Sequence, residues 1–229
     1  TEIRTGRLSG GGQSDTGKDL EKERESGYET SGKMKRVWAV ELAILDEIDR
    51  ICKKYDLRYF LVHGSLLGAV RHQGFIPWDD DLDIAMPRKD YDRFLEAASQ
   101  ELQEPLSLHT PSTERDLFWG AYARIRNSKT TAIEPRDMGH RGNLGVWVDI
   151  LPFDVCTRDE RKLKKKEKAL IRCQKLLYAG IYGRDFKSYL AMNPWEWRVS
   201  HLLAKCLGQK RLCEKLDTAQ RMYTEEDSG

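Results

Sequence analysis

The sequence predicts an α+β domain followed by a helical C-terminal portion. Three observations carry that expectation. Short apolar runs rich in aromatic and β-branched residues fall between residues 59 and 150, each bounded by turn residues. A long segment before them, residues 37–55, has apolar residues at helical spacing. After residue 155 the capped and periodic segments all read as helix, so strands come first and helices later, which is the segregated pattern of an α+β chain.

The elements follow in order. Residues 1–33 are Gly, Ser, Thr and charge with almost no apolar residue, a composition that cannot offset chain entropy, and they read as a disordered tail or linker. Val37, Val40, Ile44, Ile48, Ile51 and Tyr55 share one helical face. Tyr59-Phe60-Leu61-Val62 reads as a short buried strand that ends at the Gly64-Ser65 turn, with a helix from Leu66 to Arg71. Leu82 to Met86 is the next strand, and Asp90 to Leu102 a helix closed by Pro105. Leu106 to His109, Leu117 to Ile125, Thr130 to Ile133 and Val146 to Ile150 are further strands, the last ending at Pro152. Thr157-Arg158-Asp159-Glu160 has the form of a capping box, with a helix running on to about Tyr178. Asn193 caps another helix with Pro194 at its first position and Gly208 at its end, and a last helix runs from Gln209 to about Tyr223. The expected organisation is a tail over 1–33, a core over 34–155 and a helical portion over 156–229.

Composition excludes several classes. The net charge of +2 gives no general reason to expect nucleic acid. No apolar stretch approaches the roughly 20 residues of a membrane-spanning helix. Cys52, Cys156, Cys173, Cys206 and Cys213 are odd in number and contain no Cys-x-x-Cys, which argues for reduced thiols and a cytoplasmic location. No Walker A loop, GxGxxG fingerprint or nucleophilic triad is present.

The chemistry-bearing segment runs from His63-Gly64-Ser65 to Trp78-Asp79-Asp80-Asp81-Leu82-Asp83. Alternation along a strand puts Asp81, Asp83 and Ala85 on one face and Leu82, Ile84 and Met86 on the other. Two carboxylates so close resist joint ionisation unless a cation neutralises them. Oxygen-only ligation suits Mg²⁺ (or Mn²⁺), which takes one or two carboxylates and fills its shell with water and substrate phosphates. The Gly64-Ser65 turn offers backbone N–H groups and a hydroxyl to a phosphate at a helix start. A solvated acidic loop is the plain alternative, but unpaired charge in a half-buried strand is costly, which favours the cation site. Asp149 is the third acidic candidate, pointing with Trp147 to the face opposite Val146 and Val148. Asp154 reads as the end of that strand or as a cap.

The run HGSLLGAVRHQGFIPWDDDLDIAMPRKDYDRF closely resembles the signature of the LicD family of cholinephosphotransferases, related to fukutin-type glycan-modifying transferases. That family in turn resembles the nucleotidyltransferases similar to DNA polymerase β. The likeness extends from about Met34 to Asp154 and includes VWVDILPFD. It implies a mixed sheet carrying Asp81, Asp83 and Asp149 on one face, all three as metal ligands and catalytic groups, with Asp149 helping to orient or deprotonate the attacking hydroxyl. The implied reaction moves a phospho-alcohol, phosphocholine first, from a CDP-activated donor such as CDP-choline to a sugar hydroxyl of a cell-surface glycan or its lipid-linked precursor, lipopolysaccharide or teichoic acid. Members of the family continue past the point where this chain stops, and the chain opens on Thr, so a piece of a longer protein is expected. The competing readings are nucleotidyl transfer to a small molecule or protein, and a binding module that keeps the fold.

The remaining candidates carry two readings each. Arg71 and His72 meet phosphate oxygens or compensate a helix dipole. Arg124 and Arg126 share a strand face and, with Lys129, reach a nucleotide phosphate or lie solvated. Trp78, Tyr122 and Trp147 form an aromatic cage for a quaternary ammonium or pack in the core. His63 reads as structural. The basic run from Arg158 to Lys175, with Leu163, Leu170, Ile171 and Leu177 on its apolar side, is a solvated helix face or a peripheral contact with membrane at its inner face.

Overall fold

A computed structural model describes residues 29–111, 113, 121–133, 142–181 and 192–224. The elements in chain order are α1 (Gly32–Tyr55), β1 (Phe60–Leu61), α2 (His63–Arg71), β2 (Asp83–Pro87), α3 (Arg88–Glu101), β3 (Leu106–His109), β4 (Ala123–Asn127), β5 (Trp147–Phe153), α4 (Glu160–Ile181), α5 (Pro194–Leu207) and α6 (Gln209–Gln220). The strands form one mixed sheet in the order β1-β2-β5-β4-β3. Only β2 and β5 pair in parallel; β1, β4 and β3 add on antiparallel.

The sheet is apolar on one face. Ile84, Met86, Ile125, Val148 and Ile150 point to it and pack under Ile44, Ile48 and Ile51 of α1 and Phe94 of α3. Each such side chain, fully buried, contributes roughly 1.5–3 kcal/mol of transfer free energy, so this layer is the principal source of stability. A second cluster forms where α4, α5 and α6 meet, built on Leu177, Ala204, Leu212, Cys213 and Leu216.

Several boundaries differ from the sequence expectation. Helix α1 starts at Gly32, five residues before its first expected apolar position, because the Ser31 hydroxyl caps it by accepting from the Met34 N–H at 3.2 Å. Thr30 is buried as well, donating to the Pro77 carbonyl, so contact with the acidic-loop region is already made at residue 30. The strand expected at 59–62 shortens to an edge pair, and Phe60 is exposed, because only β2 borders it. Residues 130–133 form no strand: Asn127 turns the chain, accepting from the backbone of Lys129 and Thr130. Residues 117–120 of another expected strand lie outside the described residues. Asp159, not Thr157, caps α4, accepting from the N–H groups of Arg161 and Lys162. The apolar side of α4 runs through Leu170, Cys173, Leu176 and Leu177, and the expected Leu163 and Ile171 are exposed. Asn193, Pro194 and Gly208 act at α5 as expected, with Gly208 at φ +76°.

One arginine ties the helical portion to the sheet. Arg88 opens α3 and donates to both oxygens of Asp154 just after β5, at 2.7 and 2.6 Å, and to Asp217 on α6 at 3.0 Å. Asp154 thus follows the end of β5, as expected, and its carboxylate is a partner in a half-buried ion network. Replacing Arg88 removes the partner of Asp154, while Asp217 keeps Arg221 at 2.8 Å, and breaking a pair such as Arg88 with Asp154 costs about 3–5 kcal/mol when buried. With Asp217 partly exposed, we expect Arg88→Gln to lose roughly 3 kcal/mol by urea unfolding. An unchanged midpoint would show that the junction is held by its other contacts, the Arg221 pairs with Asp92 and Asp217 and the apolar cluster.

Candidate active site

The face of the sheet turned away from α1 and α3 is polar. In the parallel pairing of β2 with β5, Asp83 lies opposite Asp149. In the antiparallel pairing of β5 with β4, Asp149 also lies opposite Arg124, and Trp147 opposite Arg126. Cross-strand partners share a face, so one face gathers two carboxylates, two guanidinium groups and an indole.

The Arg124 guanidinium is almost fully buried and holds both oxygens of Asp149, one of them from Nη2 at 3.0 Å. Arg124 also donates to the Tyr122 hydroxyl at 3.2 Å. Arg126 is fully buried; its Nη1 donates to the Gly145 carbonyl at 2.9 Å. Both guanidinium groups lie against the Trp147 ring, at 4.8 and 4.7 Å from its centroid. Gly145 lets the chain just before β5 pass close to the end of β4, since a Cβ there would collide with the Asn127 carbonyl.

The acidic loop is held by α1 and α2 together. Trp38 Nε1 donates to the Asp79 carbonyl at 2.9 Å, and the Trp38 ring stacks on Phe75 at 5.0 Å. Helix α2 begins at His63, so Gly64 and Ser65 form its first turn and do not precede it. The Ser65 hydroxyl accepts from the Asp83 N–H at 2.8 Å. At Gly64 a Cβ would strike the Asp79 carboxylate, so the anion at this helix start is the protein's own side chain where a phosphate was expected. At Gly68 a Cβ would meet the Gly74 carbonyl at 2.5 Å, so only glycine lets loop 74–76 close on the helix.

His63 is the residue whose role differs most from expectation. It adopts left-handed backbone (φ +49°), its side chain is exposed, and its Nδ1 sits 3.1 Å from Asp83 Oδ2. Backbone in that region costs energy for a residue with a Cβ, and such strain concentrates at functional sites.

A cavity of about 910 Å³ opens over this face. It is lined by His63, Asp80, Asp81, Asp83, Tyr122, Arg124, Trp147 and Asp149, by Glu41 of α1, and by Gln174, Tyr178, Leu216 and Gln220 of the helical portion. The structure thus brings Asp81, Asp83, Asp149 and Trp147 together. Arg71 is not among the lining residues: it ends α2, roughly 10 Å along the axis from Gly64. Trp78 is exposed and meets His72 edge-on, outside the cavity. Arg126 lies beneath the lining, covered by Trp147, and Arg124 takes the position over the cavity.

Among the described residues, carboxylates outnumber cations near the acidic loop. Burial, then Asp83, Asp79 and Asp80, push the Asp81 carboxyl up to about 7. Burial, then Asp149, raise Asp83, against the lowering effect of His63 and Arg124. Glu41, 2% exposed, is pushed up to about 9 by burial and then by Asp81, Asp80, Asp79 and Asp83. Sequence reading missed Glu41, although a carboxylate between Val37 and Ile44 on an apolar helical stripe was a readable signal. Among the described residues no three His, Cys, Asp or Glu side chains converge closely enough to chelate an ion by themselves. Two carboxylates with raised pKa values and an all-oxygen donor set still fit a hard divalent cation that completes its shell with water and phosphate.

These shifts predict a pH dependence. An acid whose pKa is raised on folding binds extra protons when folded, so its stabilising contribution is present at low pH and lost as pH rises through the folded value. For Asp81 that window runs from about 4 to about 7. The melting temperature of the metal-free protein should fall over this range more steeply in the parent than in Asp81→Asn. Identical slopes would remove Asp81 from the crowded acidic group.

Comparison with known proteins agrees with this geometry. The family model for the nucleotidyltransferase domain of LicD/FKTN/FKRP matches residues 56–170, half of the chain, and spans Asp81, Asp83 and Asp149. The lipopolysaccharide cholinephosphotransferase LicD of Haemophilus influenzae is 40% identical over 113 residues, covering 49% of this chain and 41% of that protein. Uncharacterized proteins of Rickettsia prowazekii and Rickettsia typhi are each 40% identical over 72 and 57 residues, covering 31% and 25% of this chain and 26% and 18% of their own lengths. These matches take in less than half the length of each relative. With the matched span coinciding with the sheet and its acidic face, the chain belongs to the LicD/FKTN/FKRP nucleotidyltransferase-domain family.

Proposed function

We propose that the chain carries the catalytic unit of a phosphotransferase that moves a phospho-alcohol, phosphocholine first, from a CDP-activated donor to a sugar hydroxyl of lipopolysaccharide or a related glycan. The observation that carries this reading is the pairing of Asp83 with Asp149 at a cavity that Asp81 and Arg124 also line. That arrangement offers oxygen ligands and a guanidinium to one diphosphate. The likeness to a lipopolysaccharide cholinephosphotransferase supports the alcohol and the acceptor. The core is read as similar to DNA polymerase β, with the parallel β2 and β5 pair as the acidic platform.

In this reading the hydroxyl oxygen of the acceptor forms a new bond to the phosphocholine phosphorus. The bond from that phosphorus to the bridging diphosphate oxygen breaks, CMP leaves, and the hydroxyl proton passes to a base. Magnesium or manganese held by Asp81 and Asp83 supplies charge neutralisation during that transfer. His63 holds the Asp83 carboxylate through Nδ1, and the Ser65 hydroxyl fixes the Asp83 backbone. Asp149 holds the Arg124 guanidinium over the cavity, where it meets donor phosphate oxygens. Participation of Asp149 as a third metal ligand requires that pair to open. The exposed cations of α4, Lys164 and Lys165 among them, are read as the side that meets an anionic lipid-linked acceptor.

The donor is tested by offering CDP-choline, CDP-glycerol, CDP-ribitol and nucleoside triphosphates with Mg²⁺ and a lipopolysaccharide acceptor, following phosphorus by NMR. CMP release and phosphocholine on the glycan, both lost in Asp83→Asn, are the expected outcome. Pyrophosphate release from a nucleoside triphosphate would instead establish nucleotidyl transfer.

Trp147 gives a second test. Its ring already lies against two guanidinium groups, which would repel a further cation, so we read it as a support for Arg124 and not as the wall of an ammonium cage. Trp147→Leu should weaken CDP-choline and CMP alike by calorimetry, through displacement of Arg124. Selective loss of CDP-choline affinity would place the choline on this ring after all.

A further inference from the structure

Glu41 reaches the cavity from α1, outside residues 56–170 that match the family. Its side chain is 2% exposed, and its Oε2 has no hydrogen-bond partner. A buried carboxyl oxygen left unpaired is destabilising. An apolar residue at this position of the α1 stripe, between Val37 and Ile44, would avoid that cost. The location is also rigid: Trp38, one turn earlier, grips the Asp79 carbonyl, and Ile44 and Ile48 anchor the next turns in the core. The unpaired oxygen is therefore held beside Asp80 and Asp81 by the same helix that holds their loop.

What it meets follows from the donor count. No three acidic side chains converge for direct chelation among the described residues, so Glu41 does not complete a protein-only cage. A magnesium ion bound by one or two carboxylates keeps several waters, and their hydrogens need acceptors. Acceptors in this outer layer orient the ion's own ligands and commonly change metal affinity 10- to 100-fold. We propose that Glu41 is an outer-sphere anchor of the cation site, its Oε2 accepting a hydrogen bond from water on a divalent ion held by Asp81 and Asp83. This rests on reading those two aspartates as the cation site.

The experiment measures Mn²⁺ binding to the whole chain by calorimetry and electron paramagnetic resonance, with melting temperature followed alongside. The parent should bind, Asp83→Asn should not, and Glu41→Gln should bind 10- to 100-fold more weakly. The metal-free melting temperature of Glu41→Gln should equal or exceed that of the parent. Hexaamminecobalt(III), which can be held only through its ammine hydrogens, should compete with Mn²⁺ in the parent and lose that competition in Glu41→Gln. Parent-like Mn²⁺ affinity in Glu41→Gln overturns the proposal and leaves the Asp81 and Asp83 reading intact. Equal binding by the parent and Asp83→Asn, or none by the parent, overturns both. If Glu41→Gln does not fold, Glu41→Met, which fills the space without a polar atom, takes its place with the same expected loss.

Discussion

The parallel pairing of β2 with β5 is the constraint on which the rest of this structure depends. It places Asp83 directly opposite Asp149 and Ile84 directly opposite Ile150. A slip of one residue would bring carboxylates to the α1 and α3 face and isoleucines to the cavity, so the core and the site enforce the same register. Neighbouring strands lie about 4.8 Å apart, which holds two like charges close on a half-buried surface. Such a surface is stable only with cations to neutralise it.

Two arginines meet that need in different ways. Arg124 comes from β4, on the far side of β5, and neutralises Asp149 within the sheet. Arg88 opens α3 directly after β2 and pairs with Asp154 and Asp217, joining the helical portion to the sheet. Among the described residues no arginine serves Asp81 and Glu41 in the same manner. Both carboxyls are held well above their ordinary range, and that side of the cavity is where added positive charge is worth most.

The motif glycines and Ser65 serve this arrangement. Gly64 admits the Asp79 carboxylate, Gly68 admits the returning loop, and the Ser65 hydroxyl spans from α2 to β2. Their first role is to fold the acidic loop onto the helix that precedes it. Any contact with a ligand is built on top of that scaffold. The His63 backbone, strained at the start of α2, aims an imidazole at Asp83 from the same scaffold.

By itself the sequence determined the α+β class, the late helices with their Asn193 and Gly208 caps, the apolar stripe of α1 and the placing of Asp149 with Trp147 on one face of their strand. These depend on periods of two and 3.6 residues and on capping chemistry, which are local properties of the chain. Only the tertiary structure decided which partners meet. That Asp149 binds Arg124, that Trp147 is covered by two guanidinium groups, that Trp78 and Arg71 lie off the cavity and that Glu41 lies in it all depend on strand order and helix docking. Those are set by contacts between residues 25 to 129 positions apart, such as Arg124 with Asp149 and Arg88 with Asp217, and a periodicity read along the chain carries no information at that distance.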